Sequence, residues 1–299
     1  MLKDINKMPK GIDVTGDALI KSYEVRKTKN GNDFISGLIT AEGGDRQFKV
    51  WGGNLCETLK GENYQGAVVT LSGRVDEYMD NKSLIIEKLA IQEGVDPISF
   101  HPTPYSDEYI GKFYETIRGK LSKDGQKILD AVMEKHGDRF QKEFAAVKHH
   151  DNVPRGLIAH SLKVARLAIL ITNMYPNLSR ESDKDFYILA ALLHDIGKIE
   201  EYHNGVFQEE GYLTHRYFGV RILEEFEEQI VGVKGQRWFN RLMSVITQHH
   251  GEFGERPQTV EAFIIHRLDW IEAQFTDLNT AMNDPDSKKM YYDGFNLTF

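Results

Sequence analysis

A change in residue pattern near Gln92 constrains the fold of this 299-residue chain more than any other feature. Before it, apolar and polar residues alternate imperfectly between glycine-containing turns, as they do in antiparallel strands. After it, a stretch with three prolines leads into apolar residues at helical spacing. We therefore predict a multidomain α and β chain, with a β domain in residues 11–92, a linker in 93–105 and an all-α domain in 106–299.

The β domain is predicted to contain five strands, with one short helix between the third and the fourth. Turns at residues 29–32 and 42–45 separate the first three strands, and residues 54–60 form the helix. The last two strands occupy residues 67–78 and 83–91. This order is that of an OB-fold, a five-stranded barrel often used to bind oligonucleotides, although another small barrel would give a similar pattern.

Aromatic and basic side chains of the barrel are candidates for binding single-stranded nucleic acid, because bases stack on aromatic rings and lysines follow the phosphate backbone. The candidates on this basis are Tyr23, Phe34, Trp51 and Tyr78, with Lys27, Lys29, Lys49 and Arg74. For Trp51, as for Phe48, a position in the core fits the sequence equally well.

Charge and cysteine content limit the expected partners. The net charge is −8, but residues 1–92 hold 13 basic and 13 acidic residues, so the acidic excess lies in the helical part, where it can recruit metal ions. A single cysteine, Cys56, excludes an intramolecular disulfide and favours a reducing compartment. We recognise no secretory segment and no membrane-spanning run, and so expect a cytoplasmic protein with no membrane partner.

Within the all-α domain, helices are predicted at residues 107–117, 122–136, 138–147, 157–174, 184–196, 216–231, 236–249 and 260–279. Residues 106–299 also contain all of the 11 histidines except His101. Several histidines and aspartates lie at predicted helix ends, where side chains from different helices can converge. They are His160, His194, Asp195, His215, His249 and His250, with Asp269 inside the last helix.

Imidazole and carboxylate groups together suit Mn²⁺, Fe²⁺, Co²⁺ or Zn²⁺, and a bridging carboxylate can hold two ions for displacement at phosphorus. Each residue alone has a structural alternative. His249-His250 could cap a helix, and Asp269 could be a solvated helix residue. The ordered combination is much more specific than any single member.

The residues His160…His194-Asp195-Ile-Gly-Lys198…Asp269 resemble the HD phosphohydrolase superfamily, whose signature is H…HD…D. The segments KHHDNVPRGLIAHSLKVARLA, LLHDIGKIEE, QHHGEFG and EAFIIHRLDWIEA resemble the YhaM-type 3′→5′ exoribonucleases, which also carry an N-terminal OB-fold. Two departures from the family pattern are Arg155, in place of a small residue, and Thr214, in place of glycine.

The resemblance implies two divalent ions, with Mn²⁺ expected first and Co²⁺, Fe²⁺, Mg²⁺ or Zn²⁺ as alternatives. The first ion would be bound by His160, His194, Asp195 and Asp269. Asp195 would bridge to a second ion that is bound by His215, His249 and His250.

The resemblance implies 3′→5′ hydrolysis of single-stranded RNA to nucleoside 5′-monophosphates, and it leaves open whether single-stranded DNA is a substrate too. Asp195 and Lys198 would act in catalysis, with the lysine stabilising phosphate charge. Contacts with substrate are expected from His149, His150 and Arg155, and His266 would hold neighbouring ligand residues in place. Alternatives are a phosphohydrolase of small nucleotides and a strand-binding protein without activity. A homo-oligomer is compatible with the sequence.

Overall fold

The computed structural model describes residues 1–42, 44–78, 81–146, 151–179, 183–203, 206–207, 213–251, 254–283, 288–292 and 294–298. The chain divides into two compact units, Met1–Pro102 and Thr103–Phe299.

The first unit is a closed barrel of five strands. In chain order the elements are β1 (Asp13–Lys27), β2 (Asp33–Ala41), β3 (Gly44–Trp51), helix α1 (Gly53–Gly61), β4 (Val68–Tyr78) and β5 (Asn81–Ile91). The strands pair in the order β1-β2-β3-β5-β4, and only the β3–β5 pair is parallel. This topology, with a helix between β3 and β4, confirms the predicted OB-fold.

Alternation along β3 places its side chains on two faces, because successive residues of a strand point in opposite directions. Phe48 and Val50 are buried in the barrel, whereas Trp51 is 51% exposed. Phe48 is therefore a core residue, whereas Trp51 lies at the surface.

The barrel unit is wider than the predicted range 11–92. Leu2 and Ile5 are buried in its core, and the Leu2 amide donates to the Asp17 carbonyl at 2.6 Å. At the other end, Phe100 packs against Leu19 and Val68, so part of the predicted linker belongs to this unit. These contacts involve isolated apolar residues without periodicity, which is why the sequence pattern does not reveal them.

The second unit is mainly helical. Its elements are α2 (Asp107–Arg118), α3 (Lys123–Lys142), α4 (Gly156–Met174), α5 (Lys184–Leu193), α6 (Lys198–Glu201), β6 (Tyr202–His203), β7 (Val206–Phe207), α7 (His215–Glu224), α8 (Glu227–Lys234), α9 (Gln236–Gln248), α10 (Val260–Met282), β8 (Lys289–Tyr292) and β9 (Phe295–Thr298). Helix α4 packs against α5 and α10, and these three helices carry or border most of the predicted ligands.

Three details of the helical prediction are wrong. Residues 122–136 and 138–147 do not form two helices, because α3 continues through the buried Gly137 and ends at Lys142. Residues 216–231 are divided between α7 and α8. The unit is also not purely α, since β6 pairs with β7 and β8 with β9, the latter around Gly294 at φ 83°.

Helix α4 is long and apolar enough to cross a membrane by length and composition, but 56% of its most apolar window is buried inside the protein. It begins at Gly156, where a Cβ atom would lie 1.9 Å from the Asp151 carbonyl oxygen. Only glycine permits this approach of the preceding turn. The turn therefore fixes where the helix starts and where His160, one turn later, lies.

Candidate metal centre

Six helices of the second unit bring the predicted ligands to one place. His160 lies in the first turns of α4, and His194-Asp195 follows α5 directly. His215 is the first residue of α7, His249 is the C-cap of α9, and Asp269 lies within α10. Helix α6 begins three residues after Asp195 and contributes Lys198. Five of the predicted ligands are buried: His160, His194, Asp195, His215 and His249.

The first cluster is formed by His160, His194 and Asp269, together with Oδ2 of Asp195. His160 Nε2 lies 3.0 Å from Asp269 Oδ1 and 3.3 Å from His194 Nε2. The Oδ2 atom of Asp195 is 3.4 Å from His194 Nε2 and 3.8 Å from His160 Nε2. Two imidazole nitrogens and two carboxylate oxygens therefore face a common point.

The second cluster is formed by His215, His249 and His250, together with the other oxygen of Asp195. Asp195 Oδ1 is 3.6 Å from His215 Nε2 and 3.4 Å from His249 Nε2. His250 Nε2 lies 2.8 Å from His215 Nε2. Asp195 thus presents one carboxylate oxygen to each cluster, which is the arrangement that a carboxylate bridging two cations requires.

The Nδ1 atoms of four histidines are held by acceptors, which turns each Nε2 atom towards its cluster. His160 Nδ1 contacts Glu272 Oε2, and His215 Nδ1 lies 2.7 Å from Glu201 Oε2. His194 and His249 donate instead to main-chain carbonyls, of Ala191 at 2.8 Å and of Ile246 at 2.9 Å. Such contacts fix ring orientation and tautomer in metal-binding histidines.

Acidic groups dominate the electrostatics of the first cluster. Burial lowers the pKa of His160, but the charges of Glu272 and Asp269 outweigh burial and raise this pKa to about 10. Burial raises the pKa of Asp195, but Lys198 and His194 hold it well below its usual range. Without a bound cation the first cluster therefore attracts protons, which a metal ion would have to displace.

Two imidazoles of the second cluster, those of His249 and His250, are favoured in their neutral form. Burial, followed by the neighbouring imidazoles of His249 and His215, lowers the pKa of His250 to about 3. Burial also lowers the pKa of His249. Neutral imidazole is the form that binds a metal ion, so this cluster is ready to accept one.

Buried polar atoms that lack hydrogen-bond partners indicate that these residues fit metal ions. Within the described part of the chain, four buried side-chain nitrogen or oxygen atoms have no hydrogen-bond partner, and two of these are Asp195 Oδ1 and His249 Nε2. A buried polar atom without a partner is costly, and a divalent cation bound by both residues would satisfy the two atoms. The donor set, imidazole with carboxylate, is also the one that such ions take.

Lys198 is buried beside Asp195 and does not extend into open solvent. Its ammonium lies 2.6 Å from Asp195 Oδ2 and donates to the Ala145 carbonyl at 2.7 Å. The side chain therefore adds one positive charge directly at the carboxylate that faces both clusters. This contact was not anticipated from the sequence, where Lys198 was expected to contact phosphate.

The remaining predicted residues of this unit lie around the clusters or outside the described residues. Arg155 ion-pairs with Asp107 at 2.6 Å. His266 is buried, and its Nδ1 atom donates to the His249 carbonyl at 2.6 Å, so it supports the segment that carries His249. His149 and His150 lie outside the described residues.

Carboxylates and a lysine behind the first cluster were missed. Glu272 lies three residues after Asp269 on the same face of α10, a spacing that could have drawn attention to it. Its Oε1 atom contacts Lys163 Nζ at 3.0 Å, and Lys163 also binds Asp151 at 2.9 Å. Asp151, His160 and Glu272 are close enough to hold a cation, and the Lys163 ammonium already supplies one. No short motif marks this group, because its members come together only through folding.

The barrel unit brings together three of its predicted binding residues. Phe34 and Trp51 are cross-strand neighbours whose rings stack at 4.8 Å, and the Lys49 ammonium lies 5.7 Å from the Trp51 ring. Phe34 and Lys49 also line a groove of about 700 Å³ on strands β1, β2 and β3. An exposed aromatic pair with a lysine beside it has the chemistry of a base-stacking surface.

Tyr23 and Arg74 were also predicted to bind, and their surroundings differ. Tyr23 borders the groove, but it packs against the barrel core and its hydroxyl donates to the Glu62 carbonyl at 2.8 Å. Arg74, on β4, does not line the groove, and it ion-pairs with Asp13 at 2.9 Å. Tyr23 thus contributes to the barrel's own structure, and Arg74 has an acidic residue beside it.

Residues 157–274 match the HD domain family. The chain is 26% identical over 281 residues to a protein of Listeria monocytogenes serotype 4b (strain CLIP80459) named 3′-5′ exoribonuclease YhaM, an alignment covering 88% of this chain and 86% of that protein. The protein of the same name from Bacillus subtilis (strain 168) is 26% identical over 296 residues. That alignment covers 94% of this chain and 91% of the Bacillus subtilis protein. The predicted resemblance is confirmed, and the chain contains an HD domain.

Two solved structures are similar to part of the chain. The mitochondrial single-stranded DNA binding protein Rim1 of S. cerevisiae matches 28% of this chain and 95% of its own, with 14% identity and a TM-score of 0.26. The second OB-fold domain of replication protein A from Methanococcus maripaludis matches 31% of this chain and 95% of its own, with 16% identity and a TM-score of 0.25.

Proposed function

We propose that this chain, with its HD domain and OB-fold barrel, is a metal-dependent exonuclease that removes nucleoside 5′-monophosphates from the 3′ end of single-stranded RNA. The observation that carries the proposal is Asp195, whose two carboxylate oxygens face two separate clusters of histidines. The relatives named 3′-5′ exoribonuclease support the polarity and the RNA substrate. Single-stranded DNA is proposed as a second substrate.

The proposed roles follow from the two clusters. His160, His194, Asp195 and Asp269 would bind one divalent ion, and His215, His249 and His250 would bind a second with Asp195 shared. Divalent ions in such a centre lower the pKa of bound water and stabilise the charge of a phosphate undergoing displacement. Glu272 and Glu201 orient His160 and His215, and Lys198 offsets the charge of Asp195. We propose Mn²⁺ as the first ion to test, followed by Co²⁺, Fe²⁺, Mg²⁺ and Zn²⁺.

Strand binding is proposed for the barrel groove. Phe34 and Trp51 offer stacked aromatic rings at the surface, and Lys49 places a positive charge beside them. Stacking accepts any base, so this surface would bind strands with little sequence preference.

The test is hydrolysis of labelled single strands by the full-length protein. RNA labelled at the 5′ end should give a ladder of shortening products with Mn²⁺ and none with a chelator, whereas RNA labelled at the 3′ end should release labelled mononucleotide first. Asp195→Asn should abolish hydrolysis and keep strand binding. Asp130→Asn, which alters a surface carboxylate paired with Arg118, should remain active.

Three outcomes would contradict the proposal. An active Asp195→Asn protein would refute the role of the shared carboxylate. Release of mononucleotide first from the labelled 5′ end would refute the polarity. Hydrolysis of free nucleotides with no attack on strands would favour the alternative, a phosphohydrolase of small nucleotides.

A further inference from the structure

A cavity of about 870 Å³ lies between helices α2, α4 and α10 and contains none of the cluster residues named above as metal ligands. We call it the α2–α4–α10 cavity. Its volume falls within the range of about 300–1,000 Å³ that is usual for small-molecule sites. Its lining includes Tyr105, Tyr109, Phe113, Lys163, Arg166 and Phe275.

Aromatic rings form one side of the cavity. The rings of Tyr105 and Tyr109 stack with centroids 6.1 Å apart, and Tyr109 meets Phe113 edge to face at 6.0 Å. From α10, Phe275 also lines the cavity and is 64% exposed, and Tyr109 is 48% exposed. Large aromatic surfaces exposed together in a concave site indicate a ligand that stacks on them.

An arginine side chain lies at the same place. The Arg166 guanidinium is 6.0 Å from the centre of the Phe113 ring, and no carboxylate of the described residues lies within ion-pairing distance of it. Guanidinium groups bind phosphate oxygens well because their donors match the geometry of the oxygens. The cavity therefore combines stacking surfaces with a group suited to a phosphate.

The acidic residues at the floor of the cavity are already paired. Lys163 contacts both Asp151 at 2.9 Å and Glu272 at 3.0 Å, and Glu272 also contacts His160. On the α10 side, Asp277 accepts a hydrogen bond from the Tyr292 hydroxyl at 2.9 Å. These contacts reduce the repulsion that an anionic molecule would otherwise meet.

We propose that the α2–α4–α10 cavity binds a nucleotide, with its base on Tyr109 and Phe275 and its phosphate on Arg166. The nucleotide is either a free mononucleotide or one unit of a single strand. The site is separate from the metal clusters but close to one of them, since Glu272 touches both Lys163 at the floor and His160. Binding here does not require hydrolysis, so the proposal stands or falls independently of the proposed function.

The test uses the full-length protein in the presence of a chelator, so that the metal clusters cannot bind phosphate. Calorimetric titrations with AMP, adenosine and a tetranucleotide compare the wild type with Phe275→Ser and Arg166→Gln. Matched controls are Phe263→Ser and Arg267→Gln, because Arg267 lies 5.5 Å from the Phe263 ring on α10, outside the cavity. All four positions are exposed, so the variants should remain folded, and thermal unfolding verifies this.

We expect saturable binding of AMP by the wild type and by both controls. Phe275→Ser should weaken binding about tenfold, within the range for losing one stacked base. Arg166→Gln should weaken the binding of AMP more than that of adenosine, which lacks a phosphate. Tighter binding of AMP would identify a free mononucleotide as the occupant, and tighter binding of the tetranucleotide would identify a strand.

The proposal is overturned if the wild type shows no saturable binding, or if the cavity variants and their controls bind equally. A Trp51→Ala variant distinguishes binding in the cavity from binding in the barrel groove. If this change alone removes binding, the nucleotide lies in the barrel groove and the cavity is not its site.

Discussion

Replacing Glu272 with glutamine tests whether the carboxylate behind His160 helps to build a metal site. Glutamine is nearly the same size as glutamate, so the change removes a charge without leaving a cavity. In the present structure Glu272 uses Oε2 for His160 Nδ1, and Oε1 for Lys163 at 3.0 Å and Thr276 at 2.5 Å. An amide cannot replace both oxygens, because its NH₂ group would face either the imidazole N–H or the ammonium.

The expected magnitude follows from this loss. Residues that orient a ligand histidine typically contribute 10- to 100-fold to metal affinity, or about 1.4–2.7 kcal/mol. Glu272→Gln should therefore weaken the binding of one divalent ion by that factor through His160. Glu201→Gln is the matched variant, because Glu201 holds His215 in the other cluster in the same way.

The assay is calorimetric titration of Mn²⁺ into protein freed of metal, with thermal unfolding as a check on folding. Each single variant should weaken one class of sites, and the double variant should weaken both classes. Unchanged affinities in a folded Glu272→Gln protein would refute the argument. So would the loss of the same class of sites in both single variants, because the clusters would then not be separate.

Two further predictions concern strand binding and local packing. Trp51→Ala should weaken binding of a single-stranded oligonucleotide about 5- to 100-fold in a fluorescence anisotropy titration with chelator. Tyr78→Ala, which removes an exposed aromatic ring that is not part of the Phe34–Trp51 stack, should not weaken it, and equal effects would contradict the stacking surface. Gly197→Ala should lower the free energy of unfolding by about 1–3 kcal/mol in chemical denaturation, because its Cβ atom would lie 1.9 Å from the His215 carbonyl oxygen. Gly232→Ala, whose Cβ atom would have no neighbour within 4 Å, serves as control, and a similar loss there would refute the packing argument.

Strong local patterns made the architecture predictable. Turn residues and alternating strands specified the barrel, and the ordered histidines and aspartates indicated the residues that converge in the helical unit. Both signals survive in the sequence because they depend on spacing along the chain. The break between α7 and α8 and the continuous α3 were not predictable in this way, since packing decides them.

Partners that meet only in the folded chain were harder to find. Glu272 and Lys163 are separated from each other by most of the HD domain, and neither is part of a short motif. Lys198 was predicted to act in catalysis, but its contact with Asp195 depends on the turn between α5 and α6 and is not visible in the sequence. Arg74 is another residue whose neighbour becomes visible only in the fold. Its residue type suited nucleic acid, but its position on β4 gave it Asp13 as a neighbour.

The buried ammonium of Lys198 has a consequence for the charge balance of the centre. Asp195, Asp269, Glu272 and Glu201 together carry four negative charges, which equal the four positive charges of two divalent ions. Lys198 then leaves the loaded centre with one positive charge in a chain whose net charge is −8. Before the ions bind, these groups keep a net negative charge even with protons on His160 and His194. An anionic strand is therefore expected to bind at the centre after the ions and not before them.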